Sequence, residues 1–235
     1  NRGIPGPQLM ENAGRGIAEG ILDDIIETPN ETTVAVFCDA GNNGGDGYVV
    51  ARHLSEADVN VTIYWMGPED KLSDDARLNH ERAVATGIRM EQISSPDDLP
   101  AALDADLVID AIFGTGFSGS PRGFAADVIE YINLQADAGI ISVDMPSGLN
   151  ADDGQHEGAV VEADHTYTLA LPKYGLYISP GRELSGTVTI IPIGTPDNAI
   201  EKFDLKNELI TPESVIDLLP PRPPDAHKGI FGKLF

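Results

Sequence analysis

The chain has 235 residues, enough for one large domain with its own core, and its formal net charge is −23 because 38 Asp and Glu outweigh 15 Lys and Arg. That field repels nucleic acid and anionic membranes, so neither is expected as a partner. A single cysteine, Cys38, excludes an intrachain disulfide, and no apolar run approaches the roughly 20 residues of a membrane span. The N-terminus also lacks the apolar core of a signal peptide, so we expect a cytoplasmic protein.

The acidic residues are spread along the chain and do not form one block. Dispersed acid with little Lys is typical of proteins from a cytoplasm at high salt, where a Debye length of about 3 Å at molar ionic strength screens self-repulsion. The alternative is an acidic mesophilic protein, because net charge determines solubility and not fold. The composition therefore favours a halophilic source and leaves an ordinary one open.

The hydrophobic pattern predicts strands alternating with helices. The predicted helices are Pro7–Ile26, Tyr48–Ala57, Ser73–Thr86 and Gly123–Ala138. The predicted strands are Thr33–Cys38, Asn60–Met66, Ile88–Ile93, Asp106–Phe113, Gly139–Val143, His165–Leu171 and Thr187–Ile193. This alternation predicts an α/β fold with a mostly parallel sheet and helices on both faces, which the last two strands extend or edge.

Four unusual segments follow predicted strands. They are GNNGGDG (Gly41–Gly47), GTGFSGSPRG (Gly114–Gly123), DMPSGLN (Asp144–Asn150) and PKYGL (Pro172–Leu176). In a doubly wound sheet, ligands bind outside the carboxyl ends of the strands. We therefore expect the four segments to form one ligand-binding rim.

The first of these segments, Gly41–Gly47, predicts a phosphate-binding loop. Consecutive glycines let the backbone approach a ligand closely, and the loop leads into a helix N-terminus, whose free N–H groups attract phosphate. It matches neither the Walker lysine motif nor G-x-G-x-x-G, so an NAD-dependent dehydrogenase gains little support. A structural turn is the alternative, although a hairpin would need a strand on both sides.

Two aspartates stand out among the apolar strands. Asp144 ends a buried strand, where burial suits a carboxyl group for acid–base work, although an aspartate there can also cap a turn. Asp110 lies inside an apolar strand and needs a partner, which can be a cation, a Lys or Arg, or loop amides. Asn43, Asp110 and Ser147 together offer oxygen ligands to a hard cation. The histidines have no metal-ligand spacing, and His80 is expected on a polar helix face.

Five segments, in their order and spacing, resemble the NAD(P)H-hydrate epimerase domain, the N-terminal half of bifunctional NAD(P)H-hydrate repair proteins. They are LMENAG (Leu9–Gly14), GNNGGDGYVVARHL (Gly41–Leu54), DAIFGTGFSG (Asp110–Gly119), VDMPSGLNADDG (Val143–Gly154) and TLALPKYGL (Thr168–Leu176). The resemblance covers residues 7–195 and implies a Rossmann-like three-layer α/β/α sandwich, usually as a homodimer. The implied isomerase activity interconverts the R and S epimers of NADHX and NADPHX, which carry a hydroxyl at C6 of the reduced nicotinamide ring.

The resemblance also implies roles for individual residues. Potassium is the implied cofactor, held by Asn43, Asp110 and Ser147. Asp144 would face the hydrated ring. Because Asp144 and Lys173 follow predicted strands on the same rim, we expect Asp144 to be the catalytic acid–base group, and Lys173 to be the opposing proton donor or to hold a phosphate, unless Lys173 is a solvated loop residue. The residues implied to contact substrate are Asn42, Asn43, Gly44, Gly45, Asp46, Gly114, Thr115, Gly116, Phe117, Ser118, Gly119, Ser120 and Asp144.

The C-terminal segment PRPPDAHKGIFGKLF (Pro221–Phe235) resembles the linker and opening of the second half of those proteins, an ATP- or ADP-dependent dehydratase. We therefore divide the chain into an epimerase-like domain at 1–219 and a second segment at 220–235, which contains a Pro-rich linker and the truncated start of a dehydratase-like domain. We also expect the chain to be a fragment of a longer protein. The alternative function is a non-catalytic binding or scaffold module of the same fold. The presence of Asp46, Asp144 and Lys173 favours the enzyme.

Overall fold

The protein is described here by a computed structural model that covers residues 3–135, 137–203 and 205–218, so the linker segment predicted at 220–235 lies outside the described residues. Seven strands form one sheet, namely β1 (Thr33–Cys38), β2 (Asn60–Met66), β3 (Arg89–Ile93), β4 (Leu107–Ala111), β5 (Gly139–Val143), β6 (His165–Leu169) and β7 (Thr187–Ile191). Their order is β3-β2-β1-β4-β5-β6-β7, and every neighbouring pair is parallel. The sheet is therefore more regular than the mostly parallel one predicted, with β7 at its edge.

Helices cover both faces of the sheet. The long ones are α1 (Gly6–Asp24), α2 (Asn42–Glu56), α3 (Asp74–Thr86) and α4 (Phe124–Asn133); the short helices α5 (Gly181–Leu184), α6 (Asp197–Ile200) and α7 (Pro212–Leu218) follow later in the chain. Val34 and Val36 of β1 belong to the core shared with α1, α2 and α3, whereas Ala35 and Phe37 belong to the core shared with α4. Because successive strand residues face opposite sides, the sheet separates two hydrophobic cores. The Rossmann-like three-layer α/β/α sandwich is confirmed.

The glycine-rich segment after β1 is helical, so the predicted loop at Gly41–Gly47 is wrong: α2 begins at Asn42. The glycines act through close packing. A Cβ on Gly44 would lie 1.8 Å from the carbonyl oxygen of Asp39, and one on Gly47 would lie 2.5 Å from Cβ of Ala111. Absence of side chains at these positions lets the first turns of α2 press against the sheet.

For the other long helices, the predicted bounds are closer to the observed ones than they are for α2. Ser73, the first residue of the predicted helix Ser73–Thr86, caps α3, with its hydroxyl accepting from the amide of Ala76 at 3.3 Å. The helix predicted at Gly123–Ala138 is shorter and ends at Asn133. Within the described ranges, no helix combines the length and the apolarity that a membrane crossing requires.

Candidate active site

The carboxyl ends of β1, β4, β5 and β6 border a cavity of about 780 Å³. This edge includes the point between β1 and β4 where the strand order reverses, which is where ligands bind in doubly wound sheets. The predicted residues that line the cavity are Asn42, Asn43, Asp46, Gly114, Thr115, Gly116, Phe117, Asp144 and Lys173. The predicted rim of strand-end segments is therefore present.

Not every residue predicted to contact substrate lines the cavity. A Cβ on Gly45 would meet the side chain of Met10, and Gly44 faces the backbone of Asp39, so both glycines pack against protein. Ser118, Gly119 and Ser120 follow the cavity-lining part of their loop and do not line it. None of these five residues therefore lines the cavity.

The N-terminus of α2 opens into the cavity through Gly41, Asn42 and Asn43. The first intrahelical hydrogen bond here runs from the amide of Gly45 to the carbonyl of Gly41, at 3.1 Å. The amides before Gly45 have no partner inside the helix, which is the arrangement that attracts anions to helix N-termini. The candidate anion-binding element is therefore the N-terminus of α2 itself and not a loop that precedes the helix.

Asp144 follows β5 in a left-handed conformation, with φ of 67°. Its backbone amide donates to the carbonyl of Tyr167 at 2.8 Å, and its carboxylate accepts from the amides of Thr115 (3.0 Å) and Leu169 (3.3 Å). Among the described residues, three non-glycine positions have positive φ, and two of them, Asp144 and Ala170, line the cavity. Such strain persists only where surrounding contacts hold it, and it collects at functional sites.

Lys173 forms an ion pair with Asp144, with Nζ 2.6 Å from Oδ1. The same ammonium donates to the carbonyl of Leu169 at 2.5 Å. The side chains of Lys173 and Asp144 are 16% and 8% exposed. Lys173 is therefore not a solvated loop residue, because both its charge and its hydrogen bonds are directed into the cavity.

Asp46 lies one turn into α2 and is 8% exposed. Burial raises the pKa of its carboxyl group well above the usual range, the negative charge of Asp144 raises the pKa further, and Lys173 opposes this in part. Within the described part of the chain, its carboxyl group accepts no hydrogen bond. The cavity therefore brings together a carboxyl group that favours its protonated form and a second one paired with an ammonium.

Asn43 and Asp144 converge at Gly114. A Cβ there would lie 2.9 Å from Oδ1 of Asn43 and 3.0 Å from Oδ2 of Asp144, so only glycine fits without displacing them. The amide nitrogen of Asn43 is buried, and among the described residues it has no hydrogen-bond partner. An unpaired buried amide is costly, which points to a partner outside the protein.

Asp110 is fully buried beneath the cavity. Its carboxylate accepts from the hydroxyl and amide of Ser147 at 2.5 and 2.8 Å, from the hydroxyl of Ser142 at 2.9 Å and from the amide of Ile112 at 3.2 Å. Burial raises its pKa, and these four hydrogen bonds oppose that increase. The sequence left three kinds of partner open for Asp110: a cation, a Lys or Arg, or loop amides. The structure shows backbone amides and, in addition, serine hydroxyls.

Two residues of this region escaped the sequence prediction. Ser142 lies opposite Asp110 in the register of β4 and β5, and the signal for it is a serine inside the apolar run GIISV. Asp39 lines the cavity directly after β1, so the strand-end rule that indicated Asp144 also applied to Asp39. His80, by contrast, is not on a polar face: it is 7% exposed and packs edge-on against Tyr48 and Trp65.

Comparison with known proteins gives consistent results. Residues 6–175 match the family described as YjeF-related protein N-terminus. The NAD(P)H-hydrate epimerase of Rhodopirellula baltica is 37% identical over 202 residues, covering 86% of this chain and 81% of that protein. The NAD(P)H-hydrate epimerase of Oenococcus oeni is 38% identical over 192 residues, covering 82% and 88%.

Longer relatives match as well. The bifunctional NAD(P)H-hydrate repair enzyme Nnr of Moorella thermoacetica is 38% identical over 235 residues, and the match covers 98% of this chain but 44% of that protein. The chain thus spans less than half the length of the bifunctional relatives. The crystal structure of yeast ynu0 (YNL200c) shares the fold, with a TM-score of 0.68, 22% identity and 90% coverage of each chain. The family model matches most of the chain, and the chain is similar over most of its length to NAD(P)H-hydrate epimerases. The chain therefore belongs to the family of YjeF-related protein N-terminal domains.

Proposed function

We propose that the chain is an isomerase that interconverts the R and S epimers of NADHX and NADPHX. The observation that carries this proposal is the shared cavity of buried Asp46 and the Asp144–Lys173 ion pair, beside the N-terminus of α2. Two carboxyl groups with different environments suit a reaction that needs both a proton donor and a negative charge. Similarity to NAD(P)H-hydrate epimerases supports the substrate class.

The epimeric carbon carries both the ring nitrogen and the hydroxyl. In one route, Asp46 protonates the departing hydroxyl, the C6–O bond breaks to release water, and the nitrogen lone pair forms a C=N bond. The carboxylate of Asp144 faces the resulting iminium cation and stabilises it. Water then adds to the other face and gives its proton to a carboxylate. Ring opening is the alternative route. A carboxylate takes the proton of the hydroxyl, the C6–N bond breaks to leave an aldehyde, and the ring nitrogen takes up a proton. Closure on the other face of the aldehyde reverses these transfers.

Lys173 contributes to this scheme by positioning. Its ammonium holds Oδ1 of Asp144 and the carbonyl of Leu169 together, so it fixes the carboxylate of Asp144 at the cavity wall. Oδ2 of Asp144 is held by the amide of Thr115. A carboxylate fixed from both sides needs little reorganisation when charge develops on the substrate.

Potassium is part of the proposal, with Asn43, Asp110 and Ser147 as its ligands. One observation supports the fit: Asp110 is a fully buried carboxylate that forms no ion pair within the described part of the chain. For Asn43 the potassium ligand would be the amide oxygen, whereas its unpartnered buried amide nitrogen is a donor and suits an acceptor atom of the substrate. Hydroxyl groups can rotate their protons, so Ser147 can present its oxygen to a cation. Bound potassium would neutralise buried charge under the cavity and hold the loop ends that shape it.

A non-catalytic scaffold is less consistent with this site. Burying Asp46 beside Asp144 raises its pKa at a cost to stability, and a scaffold would gain nothing from that cost. We place the reaction in the cytoplasm, where the buried, unpaired Cys38 would stay reduced.

Chromatographic separation of the NADHX epimers tests the proposal. Incubation of pure S-NADHX with the chain should produce the R epimer faster than buffer alone does, and Asp144→Asn should abolish most of that acceleration. An epimerisation rate equal to that of buffer, with a folded protein, would exclude the epimerase in favour of a binding module.

A further inference from the structure

A second groove, of about 510 Å³, adjoins the cavity on the other side of β1. It lies at the carboxyl ends of β2 and β3, with Met66 and Gly67 from β2 and the turn after it, Gln92 and Ser94 from β3 and its end, and α4 on its far side. Asp39 lines both spaces, so they are neighbours at the end of β1. Nothing in the proposed chemistry at C6 uses this groove.

From its position and lining we infer that this second groove binds the adenosine half of the dinucleotide. The inference rests on the proposed function and extends it to the part of the substrate remote from C6. In a doubly wound sheet, a dinucleotide lies across the point where the strand order reverses. Here the cavity covers the ends of β4, β5 and β6 and the groove covers those of β2 and β3. The N-terminus of α2 lies between them, where a pyrophosphate is favoured.

The lining of the second groove matches the chemistry of adenosine. Met66, Pro68 and Phe124 provide apolar surface for a flat base. Gln92 uses its amide nitrogen to hold the carbonyl of Gly67 at 3.1 Å, which leaves its amide oxygen as an acceptor for a base amine. The volume also lies within the range of about 300–1,000 Å³ that is usual for small-molecule sites.

Asp39 is placed to bind the ribose. Its Oδ1 lies 3.7 Å from the point that a Cβ on Gly67 would occupy, so the carboxylate from β1 reaches the end of β2. An acidic side chain at the end of β2 binds ribose hydroxyls in many dinucleotide-binding sheets. In this chain the acid would come from the neighbouring strand.

Arg122 supplies the positive charge of the groove. Its side chain is exposed, and within the described ranges it forms no ion pair. In a chain with a net charge of −23, an unpaired guanidinium in a groove favours phosphate, which it can bind in a bidentate manner. The phosphate is either the pyrophosphate common to both substrates or the 2′-phosphate of NADPHX.

Calorimetric titration with AMP and 2′,5′-ADP tests the groove without requiring turnover. Ala125→Trp, which fills the groove, should weaken AMP binding at least about tenfold, as expected for loss of a stacked base. Leu134→Trp places the same side chain on a 78% exposed position near the end of α4 and should leave AMP binding unchanged. Absence of AMP binding at millimolar concentration, or equal binding by a folded Ala125→Trp, would overturn the inference.

Arg122→Gln provides a second variant that is safe for folding, because the side chain is exposed. Equal weakening of AMP and 2′,5′-ADP supports contact with the pyrophosphate position, whereas a larger loss for 2′,5′-ADP supports contact with the 2′-phosphate. No loss for either nucleotide overturns the role of Arg122. If AMP binds in the groove but NADHX is not epimerised, the proposed function fails and the nucleotide site stands; if NADHX is epimerised with a KM that Ala125→Trp leaves unchanged, the groove assignment fails.

Discussion

Replacing Lys173 with methionine should destabilise the protein by removing the ion pair with Asp144. Methionine keeps the apolar stem of the side chain, so the change removes the ammonium and its hydrogen bonds to Asp144 (2.6 Å) and Leu169 (2.5 Å). Breaking a fully buried pair costs about 3–5 kcal/mol. Because the side chain of Lys173 is 16% exposed, water offsets part of that cost. We therefore expect Lys173→Met to lower the free energy of unfolding by about 2–4 kcal/mol.

Thermal unfolding measures this loss directly. For a domain of this size, each 1 kcal/mol lowers Tm by about 2–4 °C, so Lys173→Met should melt about 4–16 °C below the wild type. Lys71→Met is the matched control, since Lys71 is exposed in the short turn Glu69–Lys71, and its effect should stay within about 0.5 kcal/mol.

The double variant Lys173→Met/Asp144→Asn isolates the pair. Once Asp144 is neutral, removal of the ammonium leaves no buried charge uncompensated, so the double variant should lose less stability than the two single variants added together, by about 0.5–3 kcal/mol. A Tm of Lys173→Met equal to that of Lys71→Met, or strictly additive losses, would refute the ion pair as a stabilising contact.

Three further predictions concern the same site. Asp144→Asn should lower turnover at least about 10²-fold while nucleotide binding survives, and it should also lower Tm because it breaks the ion pair with Lys173; turnover near that of the wild type would leave Asp144 as a turn cap or ribose ligand. Asp46→Asn should be more stable than the wild type at pH 7–8, because the raised pKa of Asp46 means that the folded wild type loses stability as pH rises above about 4, and asparagine does not titrate. Denaturant unfolding across pH should show the difference vanishing below about pH 4, and a difference independent of pH would contradict the assignment. Tm should rise from tens of millimolar to molar KCl because salt screens the net charge of −23, and more steeply than in NaCl if potassium binds the folded state; a flat curve would contradict the prediction of a high-salt protein.

The strands could be predicted from sequence because each is a local pattern. Thr33–Cys38, Asn60–Met66 and Gly139–Val143 are confirmed with the same bounds, since short apolar runs rich in β-branched residues have little alternative to a buried strand. The convergence of the four strand-end segments at one cavity was also predictable, because strand polarity alone brings the carboxyl ends of parallel strands to one edge.

The start of α2 could not be predicted from local pattern. A run such as GNNGGDG has low helix propensity, and glycine interiors weaken helices. Its helical state depends on Gly44 fitting against Asp39 and on Gly47 fitting against Ala111, which are contacts with strands folded elsewhere in the chain. Tertiary packing therefore overrides propensity at this position.

The partners of the acidic residues were hidden for the same reason. Ser142 meets Asp110 because β5 pairs with β4 in a particular register, and Lys173 meets Asp144 across 29 residues of sequence. Sequence spacing shows that a buried carboxylate requires compensation, but it does not show which group provides it. Residue chemistry therefore predicts that a buried aspartate has a partner, and the folded structure determines which residue that partner is.

The balance of charge at the carboxyl edge of the sheet gives a physical reason for the chemistry proposed here. Asp46, Asp110 and Asp144 are each at most 8% exposed, and Lys173 is the one cation that forms an ion pair with any of them in the described part of the chain. A fold selected for stability alone would replace such carboxylates with apolar residues. Because Asp46 favours its protonated form and Asp144 is paired with Lys173, the carboxylate of Asp110 is the buried negative charge that no ion pair compensates in the described part of the chain, and it lowers the free energy of a cation that forms or binds nearby. The iminium of the proposed reaction and the proposed potassium ion are both cations, so the same electrostatic arrangement would favour both of them.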